Sequence, residues 1–209
     1  MAIPRRALII VDVQNEYVDG PLEIQYPPHA ESLPRIGEAI DAATAAGIPI
    51  VMFQHTSGEG APVFDPTTPG FDVHPDIVQR QTPEWKTITK QYGTVFAGTD
   101  LLEWLRDHNV DTVTFVGYMT NNCILASLAE SETHGLAAEV LSDATGAINI
   151  ANAAGVVSAK TVHTTLMALF NSNFAAVALT DEWKVAVLQS ESLAKDNLVS
   201  SAMLGATSA

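Results

Sequence analysis

The sequence predicts an α/β fold, a three-layer α/β/α sandwich around a central six-stranded, mainly parallel sheet. Six short apolar runs lie along the chain, and amphipathic helical patterns separate them. Strands that alternate with helices form parallel sheets with helices on both faces. A chain of 209 residues, 47% of them hydrophobic and 16% charged, also suits one compact domain with a substantial core.

The first strand shows why the sheet is expected to be parallel. It reads Ala-Leu-Ile-Ile-Val from residue 7 and is broken only by Asp12, as in strands buried on both faces. The six strands are predicted over residues 7–13, 48–53, 86–90, 111–116, 138–141 and 175–179.

The first helix is predicted from Ser32, where apolar residues recur every three or four positions. Pro34 falls in its first turn and Gly47 ends it. Further helices are expected over residues 100–108 behind Thr99, after Cys123, over residues 151–170 and from Asp181.

Two stretches lie outside this alternation. Residues 54–83 hold five of the eleven prolines, and a long irregular segment in a compact domain usually forms a lid or a wall of a site. Residues 1–190 are predicted to form the domain. The Ala- and Ser-rich tail, residues 191–209, is either frayed or an arm laid on a partner subunit.

Composition limits the partners and the compartment. A net charge of −14 disfavours nucleic acid, whose binding depends on Lys and Arg. No stretch has the roughly 20 apolar residues of a membrane helix, and no secretory signal is visible. The single cysteine excludes an intramolecular disulfide and fits a reducing compartment, so we expect a cytoplasmic protein that binds neither membrane nor nucleic acid.

Cys123 is the first candidate for chemistry, because it lies where a strand turns into a helix. Thr120, Asn121 and Asn122 offer side-chain oxygens that could cap the first helical turn. Free N–H groups and the helix dipole would favour the thiolate there, which predicts a nucleophile with a lowered pKa. The alternative is a buried cysteine that only packs in the core.

Asp12 and Lys90 come at the ends of two other predicted strands. Open α/β sheets bind ligands at the carboxyl ends of their strands, so both residues are further candidates. The alternatives are a turn-capping role for Asp12 and an exposed surface position for Lys90.

Three motifs together resemble those of the isochorismatase-like cysteine hydrolase family, which includes nicotinamidases and N-carbamoylsarcosine amidase. They read ALIIVDVQN at residues 7–15, KQYGTVFAGTDL at residues 90–101 and VGYMTNNC at residues 116–123. The resemblance covers roughly residues 5–185. Any one motif would be weak, but three in this order and spacing are specific.

The resemblance implies a catalytic triad of Asp12, Lys90 and Cys123. Cys123 would attack a carbonyl carbon, Asp12 would carry the proton, and Lys90 would stabilise the ionised partners. It also implies a cis peptide bond between Tyr118 and Met119, with the N–H groups of Met119 and Cys123 forming an oxyanion hole. Family members form dimers or tetramers, so a homo-oligomer is expected.

The sequence departs from the nicotinamidase pattern at the metal site. The Asp-x-His expected after the second strand is missing, and the residues read Gln54-His55-Thr56 instead. Asp72 and His74 have that spacing, but a turn or lid role is expected for them. We therefore expect no metal and no cofactor.

Three aromatic residues are predicted to line the substrate pocket, namely Tyr17, Trp85 and Tyr118, with core packing as the alternative for Trp85. The predicted function is hydrolysis of a C–N bond of a small amide, ureide or related acyl compound through a thioester acyl-enzyme. The alternatives are vinyl-ether hydrolysis of the isochorismatase type, with the aspartate as acid, and a binding protein without catalysis on the same fold.

Overall fold

The computed structural model describes residues 3–208, so residues 1–2 and 209 of the predicted domain and tail lie outside it. The central sheet has six strands, and all five strand pairings are parallel, which confirms the predicted fold class. Its strands are β1 (Arg6–Val11), β2 (Ile50–His55), β3 (Lys86–Lys90), β4 (Thr112–Tyr118), β5 (Ala137–Gly146) and β8 (Ala176–Ala178). A separate two-stranded sheet contains β6 (Ile150–Asn152) and β7 (Gly155–Val157).

Helices cover both faces of this sheet. They are α1 (His29–Ala45), α2 (Pro75–Val78), α3 (Leu101–Asp107), α4 (Leu125–Ser131), α5 (Ala159–Leu169), α6 (Thr180–Gln189) and α7 (Leu198–Ser208). On β1, Leu8 and Ile10 pack in one core with residues of α1 and α6. Ile9 and Val11 pack in a second core with residues of α3, α4 and α5. The strand is therefore buried on both faces, as its apolar sequence predicts.

The strand order across the sheet is β3-β2-β1-β4-β5-β8. The chain first adds strands on one side of β1 and then continues on the other side from β4. This reversal creates a crevice at the carboxyl ends of β1 and β4, which is where open α/β sheets bind ligands.

Two predicted boundaries are wrong in the second half of the chain. β5 does not end at Leu141, as predicted, but continues to Gly146. The helix predicted over residues 151–170 begins only at Ala159, because β6 and β7 form a small antiparallel hairpin before it. Asn152 and Gly155 supply the turn, and Ser158 caps α5 by accepting a hydrogen bond from the N–H of Thr161 at 3.2 Å.

The tail ends in α7, in which no residue is buried. Its apolar side chains, including Leu198, Met203 and Leu204, are more than 60% exposed. Within residues 3–208, no helix combines the length and the apolar character that crossing a bilayer requires.

Gly117 allows β4 to approach β1 closely beside the crevice. Its φ is +101°, in the region that favours glycine, and an added Cβ would lie 2.2 Å from the carbonyl oxygen of Val11. No side chain fits there without moving β1, and Val11 immediately precedes Asp12. Glycine at this position therefore sets the spacing of two strand ends.

We expect G117A to lower the free energy of unfolding by about 2 to 5 kcal/mol, from the left-handed backbone and the clash together. G47A is the matched control, because Gly47 has a φ of +67° but nothing within 4 Å of an added Cβ. G47A should cost only about 1 to 2 kcal/mol in urea unfolding. Equal losses in the two variants would show that the approach to Val11 is unimportant.

Candidate active site

The three residues predicted as a triad meet at the carboxyl edge of the sheet. Asp12 directly follows β1, Lys90 is the last residue of β3, and Cys123 lies in the turn after β4. Each was predicted at a strand end, and the parallel sheet brings those ends to one edge.

Lys90 connects the other two side chains. Its Nζ lies 2.6 Å from Oδ2 of Asp12 and donates a hydrogen bond to Sγ of Cys123 at 3.3 Å. It also donates to the backbone carbonyl of Tyr92 at 3.1 Å. The side chains of Lys90 and Asp12 are both 0% exposed, so this is a buried ion pair rather than a surface one.

Asp12 lies at the point where the chain leaves the sheet. Its φ is +49°, a left-handed conformation that aspartate adopts more readily than most residues. Its N–H donates to the carbonyl of Phe53, and its own carbonyl accepts from the N–H of Gln14. Among residues 3–208, neither carboxylate oxygen has a hydrogen-bond partner, and Nζ of Lys90 lies next to Oδ2, which leaves Oδ1 able to accept a proton.

Cys123 lies in a single π turn, Thr120–Ile124, that leads into α4. Its carbonyl accepts a hydrogen bond from Oγ of Ser127 at 2.6 Å, and this Oγ accepts one from the N–H of Val95 at 3.1 Å. The turn is thereby connected to the loop that follows Lys90. The predicted capping by the side chains of residues 120–122 is wrong, because no side chain caps this turn.

The predicted lowering of the Cys123 pKa is also wrong. Burial, followed by the charge of Asp12, raises the pKa of the thiol to about 12, and Lys90 opposes this only in part. The folded chain removes Sγ from water, since the residue is only 3% exposed, and this desolvation outweighs the helix dipole. The thiol therefore keeps its proton at neutral pH, beside a carboxylate that can take it.

His55, at the end of β2, is a site residue that the sequence analysis missed. Its Nδ1 lies 3.3 Å from Nζ of Lys90, and because an ammonium can only donate, Nδ1 must accept. The ring proton is then on Nε2. Burial and Lys90 lower the pKa of His55, so the ring is neutral near pH 7. The sequence indicated His55 only through its place in the stretch where the metal-site pattern is missing, two residues beyond the predicted strand.

A metal ion does not fit this cluster as it stands. Asp12, His55 and Cys123 offer ligand atoms within 4.8 Å of one another. Nζ of Lys90 lies within 3.3 Å of a ligand atom of each, so the ammonium already occupies the position of a cation. His74, the other candidate for a metal ligand, instead caps α2 by accepting from the N–H of Asp76 at 3.2 Å.

Two of the three predicted aromatic residues lie near the triad. The ring of Tyr17 packs against Tyr118 and Phe64, with centroids 5.6 and 5.2 Å away. Burial, with Cys123 and Asp12 nearby, raises the pKa of Tyr17. The hydroxyl of Tyr118 forms a hydrogen bond with Oγ of Ser32 at 2.8 Å. Burial raises the pKa of Tyr118 as well.

Trp85 does not join them. It precedes Lys86 at the opposite, amino end of β3 and lies beside a surface groove with Trp104 and His108. Trp85 and Lys90 therefore lie at opposite ends of β3.

The peptide bond between Tyr118 and Met119 is cis. The carbonyl of Met119 accepts hydrogen bonds from the N–H groups of Asn122 and Ile124, at 3.1 and 3.2 Å. These bonds close the turn around Cys123.

The fold and its crevice define an α/β protein with a buried cysteine, lysine and aspartate at one sheet edge. Residues 6–182 match the isochorismatase domain family. The chain therefore belongs to the isochorismatase family.

Similar proteins are found among known sequences and among solved structures. An isochorismatase family protein of Bacillus subtilis is 30% identical over 179 residues, which is 85% of this chain and 94% of that protein. The nicotinamidase/pyrazinamidase of Mycobacterium tuberculosis is 31% identical over 163 residues, 69% of this chain and 88% of that enzyme. A crystal structure of an isochorismatase-type protein from Burkholderia xenovorans has a TM-score of 0.95 and 41% identity over 98% of both chains.

The raised thiol pKa predicts a specific pH dependence for alkylation of Cys123 by iodoacetamide. In the wild type the rate should keep rising above the ordinary thiol pKa of about 8.5. D12N should lower the apparent pKa and speed alkylation near pH 7, because the carboxylate charge raises the pKa of the thiol.

Adding K90M to D12N should raise the apparent pKa again, because the lysine charge favours the thiolate. The double variant avoids leaving Asp12 as an unpaired buried charge. K86M is the matched control in the same background, since Lys86 also lies on β3 but pairs with Asp100 at the surface, at 2.7 Å. A wild-type profile that titrates like a free thiol would contradict this account of the site.

Proposed function

We propose that the protein hydrolyses a C–N bond of a small amide, ureide or related acyl compound through a thioester on Cys123. The observation that carries this is the contact of one buried ammonium with both a carboxylate and the only thiol of the chain. A nucleophile, a base beside it and a third group that orients both are the parts that nucleophilic catalysis requires.

In the first step Sγ of Cys123 attacks the carbonyl carbon of the substrate while Asp12 takes the thiol proton. The raised pKa of the thiol makes this base necessary, since the free thiolate is scarce at neutral pH. Lys90, next to both atoms, stabilises the negative charge as it moves from the carboxylate to sulfur and then to the substrate oxygen.

The N–H groups of Met119 and Cys123 are proposed as the donors to that oxygen. The C–N bond then breaks, and the leaving nitrogen takes the proton from Asp12. A thioester remains on Cys123. Water attacks the thioester and gives a proton to Asp12, and the C–S bond then breaks to release the carboxylic acid. The departing thiolate of Cys123 takes the proton from Asp12, so the enzyme is unchanged at the end of the cycle.

The relationship to a nicotinamidase/pyrazinamidase supports amide hydrolysis as the reaction class. It does not extend to nicotinamide itself, because the Asp-x-His pattern after the second strand is replaced by Gln54-His55-Thr56. His55 is the neutral ring next to Lys90 and, with Tyr17, is a candidate to contact the substrate.

The test is a screen of primary amides, ureides and N-carbamoyl compounds for release of ammonia. For any compound hydrolysed, C123A and D12N should each reduce kcat by about 10³-fold or more, since they remove the nucleophile and its base. Mass spectrometry of rapidly quenched wild-type protein should find the acyl group on Cys123.

The outcome for C123A separates the alternatives. With a vinyl ether included in the screen and followed by its hydrolysis product, loss of activity in D12N with full activity in C123A would favour vinyl-ether hydrolysis with Asp12 as the acid. K86M, which changes a surface lysine on the same strand as Lys90, should leave kcat unchanged.

A further inference from the structure

A chain of polar side chains outside the triad begins at the first residue of the cysteine turn. Oγ1 of Thr120 lies 3.1 Å from Oγ1 of Thr145 on β5 and 3.1 Å from Nδ1 of His163 on α5. Thr120 and Thr145 are 0% exposed, and His163 is 5% exposed. Three elements are thus joined at one hydroxyl, three residues before Cys123.

The donors and acceptors of this chain can be assigned. Burial lowers the pKa of His163 to about 4, so the ring is neutral and has one N–H. A hydrogen bond with the backbone of Ser142 favours the protonated ring, as expected when the ring donates to a carbonyl. Nδ1 is then left as an acceptor, the hydroxyl of Thr120 donates to it, and the hydroxyl of Thr145 donates to Thr120.

Three side chains, Tyr26, Lys160 and Asp143, surround the ring of His163. The ring of Tyr26 meets the imidazole edge-on, with centroids 5.6 Å apart, and Lys160 lies over the ring of Tyr26. Asp143 lines the same surface groove as His163. The hydrogen bond to Thr120 connects His163 to the cysteine turn.

We propose that His163 and Thr145 are positioning residues that hold the cysteine turn through the hydroxyl of Thr120. The turn has no capping side chain, and α5 packs directly against it. The hydrogen bonds among His163, Thr120 and Thr145 fix the first residue of the turn. The Ser127 hydroxyl fixes the carbonyl of Cys123. Together they keep Sγ buried between Asp12 and Lys90.

The test is the pH profile of Cys123 alkylation in two matched pairs of variants. T120V removes the hydroxyl but keeps the shape of the side chain, and T120S restores the hydroxyl. H163L removes the acceptor, and H163N restores an acceptor near the position of Nδ1. The titratable groups facing Cys123, namely Asp12, Tyr17, His55 and Lys90, are unchanged in all four.

We expect T120V and H163L to move the apparent pKa of Cys123 down towards the ordinary thiol value. A loosened turn exposes Sγ to water, so alkylation near pH 7 should become at least about tenfold faster. T120S and H163N should keep the wild-type profile. T133V is the control, because the Thr133 hydroxyl donates to a carbonyl in an exposed turn.

Two results would overturn the proposal: a wild-type profile in T120V or H163L, or a shift in T120S as large as that in T120V. Lower melting temperatures with unchanged profiles would likewise show a role in stability alone. If T120V does not fold, the His163 pair decides. Alkylation requires no amide substrate, so the result stands even if the proposed hydrolysis fails.

Discussion

The buried ion pair between Lys90 and Asp12 is the constraint around which this molecule is arranged. Two charges removed from water are tolerated only when they face each other closely, and here Nζ and Oδ2 lie 2.6 Å apart with both side chains 0% exposed. The pair spans β2, because Asp12 follows β1 and Lys90 ends β3, two strands away. Adjacent strands are about 4.8 Å apart, so only a long flexible cation reaches across.

Two further side chains at the crevice contact the ammonium of Lys90. His55, on the strand in between, offers Nδ1 to it, and Cys123 offers Sγ. Gly117 lets β4 approach the end of β1, which brings the cysteine turn within reach of the same nitrogen. The site is built from the ends of four neighbouring strands, so these ends must lie level with one another along the strand direction. The parallel register of the strands aligns them in this way.

Local patterns predicted the sheet and made the three residues candidates, because both depend on where apolar strands stop, while the family resemblance grouped those residues as a triad. Asp12, Lys90 and Cys123 each follow or end such a run, so their meeting at one edge follows from the fold class. Properties that depend on distant contacts were not predictable. The raised pKa of Cys123 reflects burial by the whole domain, and His163 reaches Thr120 from 43 residues away. The hairpin of β6 and β7 was missed because alanine-rich sequence favours a helix until Gly155 interrupts it.

The protonated state of Cys123 also bears on how the protein survives oxidants. Peroxide attacks thiolates rather than thiols, so a cysteine that is buried and keeps its proton at rest is a poor target for conversion to sulfenic acid. With no second cysteine in the chain, an oxidised Cys123 would have no intramolecular partner to resolve it as a disulfide. A thiol that stays protonated at rest is therefore protected, in a chain that could not repair it by itself.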